Sequence, residues 1–196
     1  MKIIITFLSL ASLLFGDGFD SVPKSNRDSG IFVAQDILPY ALMGISGIVA
    51  LNETNATLLG KTAWKAMDAG MIAAISAEVL KPVFGRKRPE QTVSSNDWFK
   101  EGDSFPSGHT AVATAVVIPF MIEYGEKYPW VYSAALIPIY EAVGRVKARQ
   151  HWPTDTIGGV ALGAICGYVA SIQEKPIVIS IIPYGDGIYT GISYKF

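Results

Sequence analysis

Apolar positions along the chain fall into runs separated by short polar stretches, and most of the runs repeat at helical spacing. Five segments read as helices: 31–51, 61–80, 110–123, 130–143 and 154–172. The first is apolar but carries Gln35, Asp36 and Pro39, and the second includes Ala73, Ala74 and Ala77, small enough for close helix packing. Most of these runs fall short of the roughly 20 uninterrupted apolar residues that a spanning helix needs. The pattern therefore fits a soluble or membrane-peripheral bundle with a very apolar core better than a set of short membrane helices. At the tail the period changes. Ile188, Thr190, Ile192, Tyr194 and Phe196 alternate after Asp186-Gly187, which signals a hairpin with a turn suited to positive φ. The expected fold is all-α, a bundle of about five to six helices with a C-terminal β-hairpin over 176–196 packed on it.

The N-terminus departs from this pattern. Lys2 precedes a short apolar run over 3–15, followed by Gly16 and an acidic stretch, as in a secretory signal peptide. Residues 1–16 are expected to be a leader and 17–175 the folded domain, exported and periplasmic. The alternative is an uncleaved inner-membrane anchor with the site facing outward. Residues 90–105 are polar with Trp98 and Phe99 in the middle, and a connection of this length serves either as a lid or as a plain linker. Asn52 and Asn55 each stand two residues before a threonine, which fits the glycosylation pattern, but the stretch reads better as a polar turn. Cys166 is the single cysteine, so no internal disulfide forms, and its small apolar neighbours point to a buried structural thiol.

Composition sharpens this picture in two ways. Charged residues make up 17% of the 196, against about 25% in an ordinary soluble domain, so the chain is unusually apolar. A net charge of −1 excludes a general nucleic-acid or polyanion binder. Yet seven of the 16 Lys and Arg residues sit in two short stretches, Lys81 with Arg86, Lys87 and Arg88, and Arg145 with Lys147 and Arg149. Local positive charge in a neutral chain suits a small anionic ligand, although solvated surface would look the same.

The chemistry lies in three stretches. In "KPVFGRKRP", Lys81 and Arg88 stand at the end of the second helix, where Pro82 and Gly85 are expected to break it. In "SFPSGHTAVATAVV", Ser107, Gly108 and His109 stand at the start of the third helix. Backbone N–H groups there have no partner, and the helix dipole favours an anion. A serine cap beside a spectator histidine is the plainer reading of that stretch. In "GRVKARQHWPTD", Asp155 follows His151 by one helical turn, so its carboxylate is placed to accept the Nδ1 proton and leave Nε2 free as a nucleophile. Taken together they supply cations for phosphoryl oxygens, amides at a helix start, a nucleophile and an acid, which is what phosphoryl transfer requires.

These three stretches, in this order, resemble the signature of the type 2 phosphatidic acid phosphatase (PAP2) superfamily, which shares its fold with vanadium haloperoxidases. The resemblance runs from Lys81 to Asp155. It implies that His151 attacks phosphorus to form a phosphohistidine, that Asp155 orients it, and that His109 protonates the leaving oxygen. Lys81, Arg88, Ser107, the Gly108 amide and Arg145 would hold the phosphate, with no metal or other cofactor. Its substrate would be a phosphate-bearing small molecule or lipid, in contact with a membrane surface. A vanadate-dependent haloperoxidase and a non-catalytic phosphate-binding bundle are the alternatives. Arg86, Lys87, Lys147 and Arg149 match no motif position and are expected to be solvated, or at most to act as long-range steering charge. One departure is Gly144, where the family usually carries serine before the arginine.

Overall fold

Five α-helices carry the architecture in a computed structural model, which describes residues 20–22, 30–53 and 56–173 and the backbone of 178–184 and 187–193. They are α1 (Leu38–Glu53), α2 (Leu58–Phe84), α3 (Gly108–Tyr124), α4 (Leu136–Lys147) and α5 (Pro153–Ile172). The expected leader, residues 1–16, lies outside the described residues.

Helix boundaries differ from the apolar pattern for local reasons. The expected helix over 31–51 divides into a 3₁₀ turn, Gly30–Asp36, and α1. Pro39 has no N–H to donate backwards, so it suits the first turn of a helix and not its interior. Thr57 caps α2, its Oγ1 accepting from the Gly60 amide at 3.0 Å. Pro82 does not end that helix, which runs on to Phe84 and stops where Gly85 takes a left-handed φ of 52°. One lost amide bond in a final turn is tolerated, and the αL glycine sets the end. Residues 130–135 belong to a second 3₁₀ turn, Pro129–Ala135, so α4 starts at Leu136 and extends to Lys147. Arg145 thereby sits on a helix and not in the loop beyond one.

The helices meet through small side chains. Ala66, Ala69 and Ala73 of α2 pack with Ala111, Val112, Ala115 and Val116 of α3 and with Cys166 and Ala170 of α5. Cys166 is buried and free. Close approach of α5 to α3 depends on glycine: a Cβ on Gly163 would lie 2.3 Å from the Ala111 carbonyl oxygen. Larger apolar residues point the other way. Ile45, Ile48 and Leu51 of α1, Val79 and Val83 of α2, and Ile165, Tyr168 and Ile172 of α5 are all exposed. Among the described residues, α5 alone is long and apolar enough to cross a membrane. In the tail the backbone pairs β1 (Val178–Tyr184) antiparallel with β2 (Gly187–Ser193), Val178 opposite Ser193. The turn at 185–186, the strand side chains and the expected packing on the bundle lie outside the described residues.

Candidate active site

The long connection from α2 to α3 is held by main-chain bonds. The Phe99 amide donates to the Phe84 carbonyl at 2.8 Å, Lys100 to Gly85 at 2.8 Å and Ser104 to Arg86 at 2.9 Å. Trp98 packs edge-on against Phe84 and Phe105, with the Arg86 guanidinium 4.3 Å from its ring centre. This anchoring fixes the loop against the start of α5 and places Arg88 and Ser104 beside the motif histidines.

A cavity of about 550 Å³ opens at this end of the bundle. Lys81, Arg88, Gly108, His109, Arg145 and His151 all line it. The rest of its lining is apolar apart from Glu78, with Pro39, Tyr40 and Met43 of α1, Ala74, Ile75 and Val79 of α2, and Val112 of α3. No residue of 90–105 lines the cavity, and of the two roles open to this stretch, lid or plain linker, the packing shows neither: it is a buttress bonded to the end of α2.

Behind that lining stand the remaining two motif residues. Ser107 is fully buried; its amide donates to the Asp155 carbonyl at 3.0 Å, and its hydroxyl pairs with that of Thr110 at 3.0 Å instead of capping α3. The His151 Nδ1 donates to the Ser104 carbonyl at 2.8 Å and lies 3.8 Å from Asp155 Oδ2, too far for a hydrogen bond. The expected direct His151–Asp155 bond is therefore replaced by a shared scaffold. Asp155 accepts from the Ser104 hydroxyl, from the Trp152 amide at 2.8 Å and from Arg86 Nη1 at 2.6 Å. A carbonyl oxygen only accepts, so Nδ1 of His151 carries a proton, and in the neutral ring Nε2 holds the free lone pair.

Electrostatics divide the basic residues into two sets. Each cation on the cavity wall has a carboxylate partner: Lys81 pairs with Glu78, Arg88 with Asp103 at 2.7 Å and Arg145 with Asp36 at 2.7 Å. Arg86, expected to be solvated, is instead 1% exposed and bonded on every side. It reaches Asp155 and Thr154 at 2.6 Å through Nη1, Asp20 at 2.6 Å through Nη2, and the Ser95 carbonyl through Nε and Nη2. Arg149 is half-buried and donates to the Pro89 carbonyl at 3.0 Å, and Lys147 lies over the Phe32 ring. Lys87 is half-buried, its carbonyl accepting from the Trp152 indole at 2.8 Å.

The histidines respond to this setting. Burial, reinforced by the charge of Arg145, pulls the His109 imidazole down to about 4, so the ring is neutral at pH 7. The ring stands edge-on to Tyr40, 5.5 Å between centres. Burial also lowers His151, while the Asp155 carboxylate pulls in the opposite direction.

Comparison with known proteins agrees with the geometry. The sequence profile of the PAP2 superfamily matches residues 63–177. A lipid A 1-phosphatase of Porphyromonas gingivalis is 37% identical over 114 residues, which cover 57% of this chain and 22% of that protein. The chain thus spans about a fifth of that relative's length. The crystal structure of Aquifex aeolicus LpxE shares the fold, with a TM-score of 0.54 over 83% of this chain and 93% of that one, at 21% identity. Since the profile covers more than half of the sequence and takes in all three motif stretches, the chain belongs to the PAP2 superfamily.

Proposed function

We propose that the protein is a metal-independent lipid phosphate phosphatase that works through a phosphohistidine at His151. One observation carries this reading: three cations, a helix start and both histidines share a cavity whose remaining lining is mostly apolar. The cations suit the phosphoryl oxygens and the apolar lining suits the substrate's hydrocarbon part. Kinship to a lipid A 1-phosphatase supports a phosphate on a glycolipid as the substrate class.

In the proposed reaction, Lys81, Arg88, Arg145 and the Gly108 amide hold the phosphate oxygens. The Nε2 lone pair of His151 forms a bond to phosphorus as the bond to the leaving oxygen breaks. Positive charge appears on the His151 ring, and the Ser104 carbonyl on Nδ1 together with the nearby Asp155 carboxylate stabilises it. His109 gives its proton to the leaving oxygen. A bound phosphate dianion favours the protonated form of that ring, so substrate binding itself charges the acid. Water then attacks the phosphohistidine, returning its proton to His109 and releasing phosphate.

Exposed apolar residues on α1, α2 and α5 support a seat in the outer face of a membrane, with the cavity open to lipid. The test is phosphate release from a lipid A-type phosphate in mixed micelles compared with a soluble aryl phosphate. We expect kcat/KM for the lipid to exceed that for the aryl ester by at least about tenfold, since several methylenes at about 0.8 kcal/mol each meet the apolar lining, with no loss on chelation. Equal values for both substrates would remove the lipid assignment.

A further inference from the structure

We propose that Asp36 is a positioning residue for Arg145, and that glycine at 144 is what allows the 3₁₀ turn carrying Asp36 to dock. The inference rests on the phosphatase reading of the cavity and extends it to a segment outside the three motif stretches.

Four contacts bind the turn Gly30–Asp36 to α4. Phe32 stacks on Tyr140 with ring centres 5.3 Å apart, and the Lys147 ammonium lies 4.8 Å from the Phe32 ring centre. Gln35 is buried against Gly144, and Asp36 Oδ1 accepts from Arg145 Nη1 at 2.7 Å. Tyr140, Gly144 and Lys147 recur at spacings of four and three residues, so they form one stripe along α4. Glycine makes the middle of that stripe flat. A Cβ on residue 144 would stand 2.7 Å from Gln35 Oε1 and 3.2 Å from both Gln35 Cβ and Phe32 Cδ1. A serine side chain at 144 would therefore push against the turn.

Docking matters because Arg145 has few other means of orientation. Its side chain is 5% exposed, and its Nε has no partner among the described residues. Glu141, one helical turn earlier, does not fill the role: it is fully buried, neither oxygen has a partner among the described residues, and burial raises it to about 8, so it is neutral at pH 7. Asp36 is thus the charged partner that fixes the guanidinium. Its own side chain is 62% exposed, so water screens most of its repulsion toward an incoming phosphate. Positioning outweighs competition.

The experiment is titration of the full chain in detergent at pH 7 with orthovanadate, a phosphate mimic whose binding needs no turnover, alongside KM and kcat. Asp36→Ala should weaken vanadate binding and raise KM by about tenfold, the scale of one lost charge-assisted bond, with kcat and melting temperature little changed. Asp36→Glu should recover part of the loss. Gly144→Ser should weaken binding comparably, and adding Gln35→Ala to it should restore affinity toward wild type. Unchanged or tighter binding by Asp36→Ala, or additive effects of the 35 and 144 substitutions, would overturn the inference and leave the phosphatase reading intact. A wild-type protein that binds no vanadate would overturn both.

Discussion

Two arginines two positions apart, Arg86 and Arg88, are predicted to fail in opposite ways. Arg86→Ala removes the guanidinium that joins Asp20, Thr154, Asp155 and the Ser95 carbonyl, and leaves two buried carboxylates without their Arg86 partner. Breaking one partner of a buried ion pair costs about 3–5 kcal/mol. For a chain of this size about 4 kcal/mol lowers Tm by roughly 8–16 °C. Activity should fall as well, because Asp155 and Ser104 form the scaffold behind His151. Arg88→Ala removes a cation whose Asp103 partner is 52% exposed, a pair worth about 0–1 kcal/mol to stability. It should cost phosphate affinity and leave Tm within about 3 °C of wild type. Thermal unfolding of both variants in one detergent, with vanadate titration beside it, separates the two losses. A small Tm change for Arg86→Ala, or the larger change for Arg88→Ala, would refute the division into a structural and a ligand-facing arginine.

Further outcomes follow from the packing. Glu141 is raised by burial from an ordinary 4.5 to about 8, so the native state holds a proton that the unfolded chain releases between those values. Stability contributed by that proton falls as pH rises through this window; Glu141→Gln should match wild type near pH 4.5 and gain about 1–3 kcal/mol by pH 8, measured by denaturant unfolding across pH. Gly163→Ala drives a Cβ into the Ala111 carbonyl and should destabilise by about 1–3 kcal/mol despite alanine's better helix propensity, and a neutral Tm would contradict the close α3–α5 contact. Trp98→Ala, remote from the cavity wall, should reduce turnover of lipid and soluble phosphates in equal proportion. A loss confined to the lipid substrate would restore the lid role.

Much of the site was legible because its residues stand at the positions that the resemblance to the PAP2 signature implies. Lys81, Arg88, Gly108, His109, Arg145 and His151 come from three stretches, and all meet at one cavity. Ser107 and Asp155 are in place but behind it, since burial and partner geometry do not register in a spacing. Arg86 was misread for the same reason. Three basic residues within Arg86-Lys87-Arg88 look alike in sequence, and only the fold brings Asp20 and Asp155 to the first of them. Tyr40 and Asp36 carried no signal beyond an apolar run. Helix periods located all five helices, while proline and glycine shifted their ends: Pro82 is tolerated in a last turn that Gly85 closes. An apolar, alanine-rich pattern also could not tell inside from outside, because small residues fill this core and large ones face out.

The central claim, nucleophilic catalysis by His151 within a cationic cradle, is tested most directly by rapid quench with a phosphate-labelled lipid substrate. Label should appear on the wild-type chain, survive alkali, be lost in acid and map to residue 151, with none on His151→Gln. Full turnover by His151→Gln, or label carried on another residue, would contradict the account.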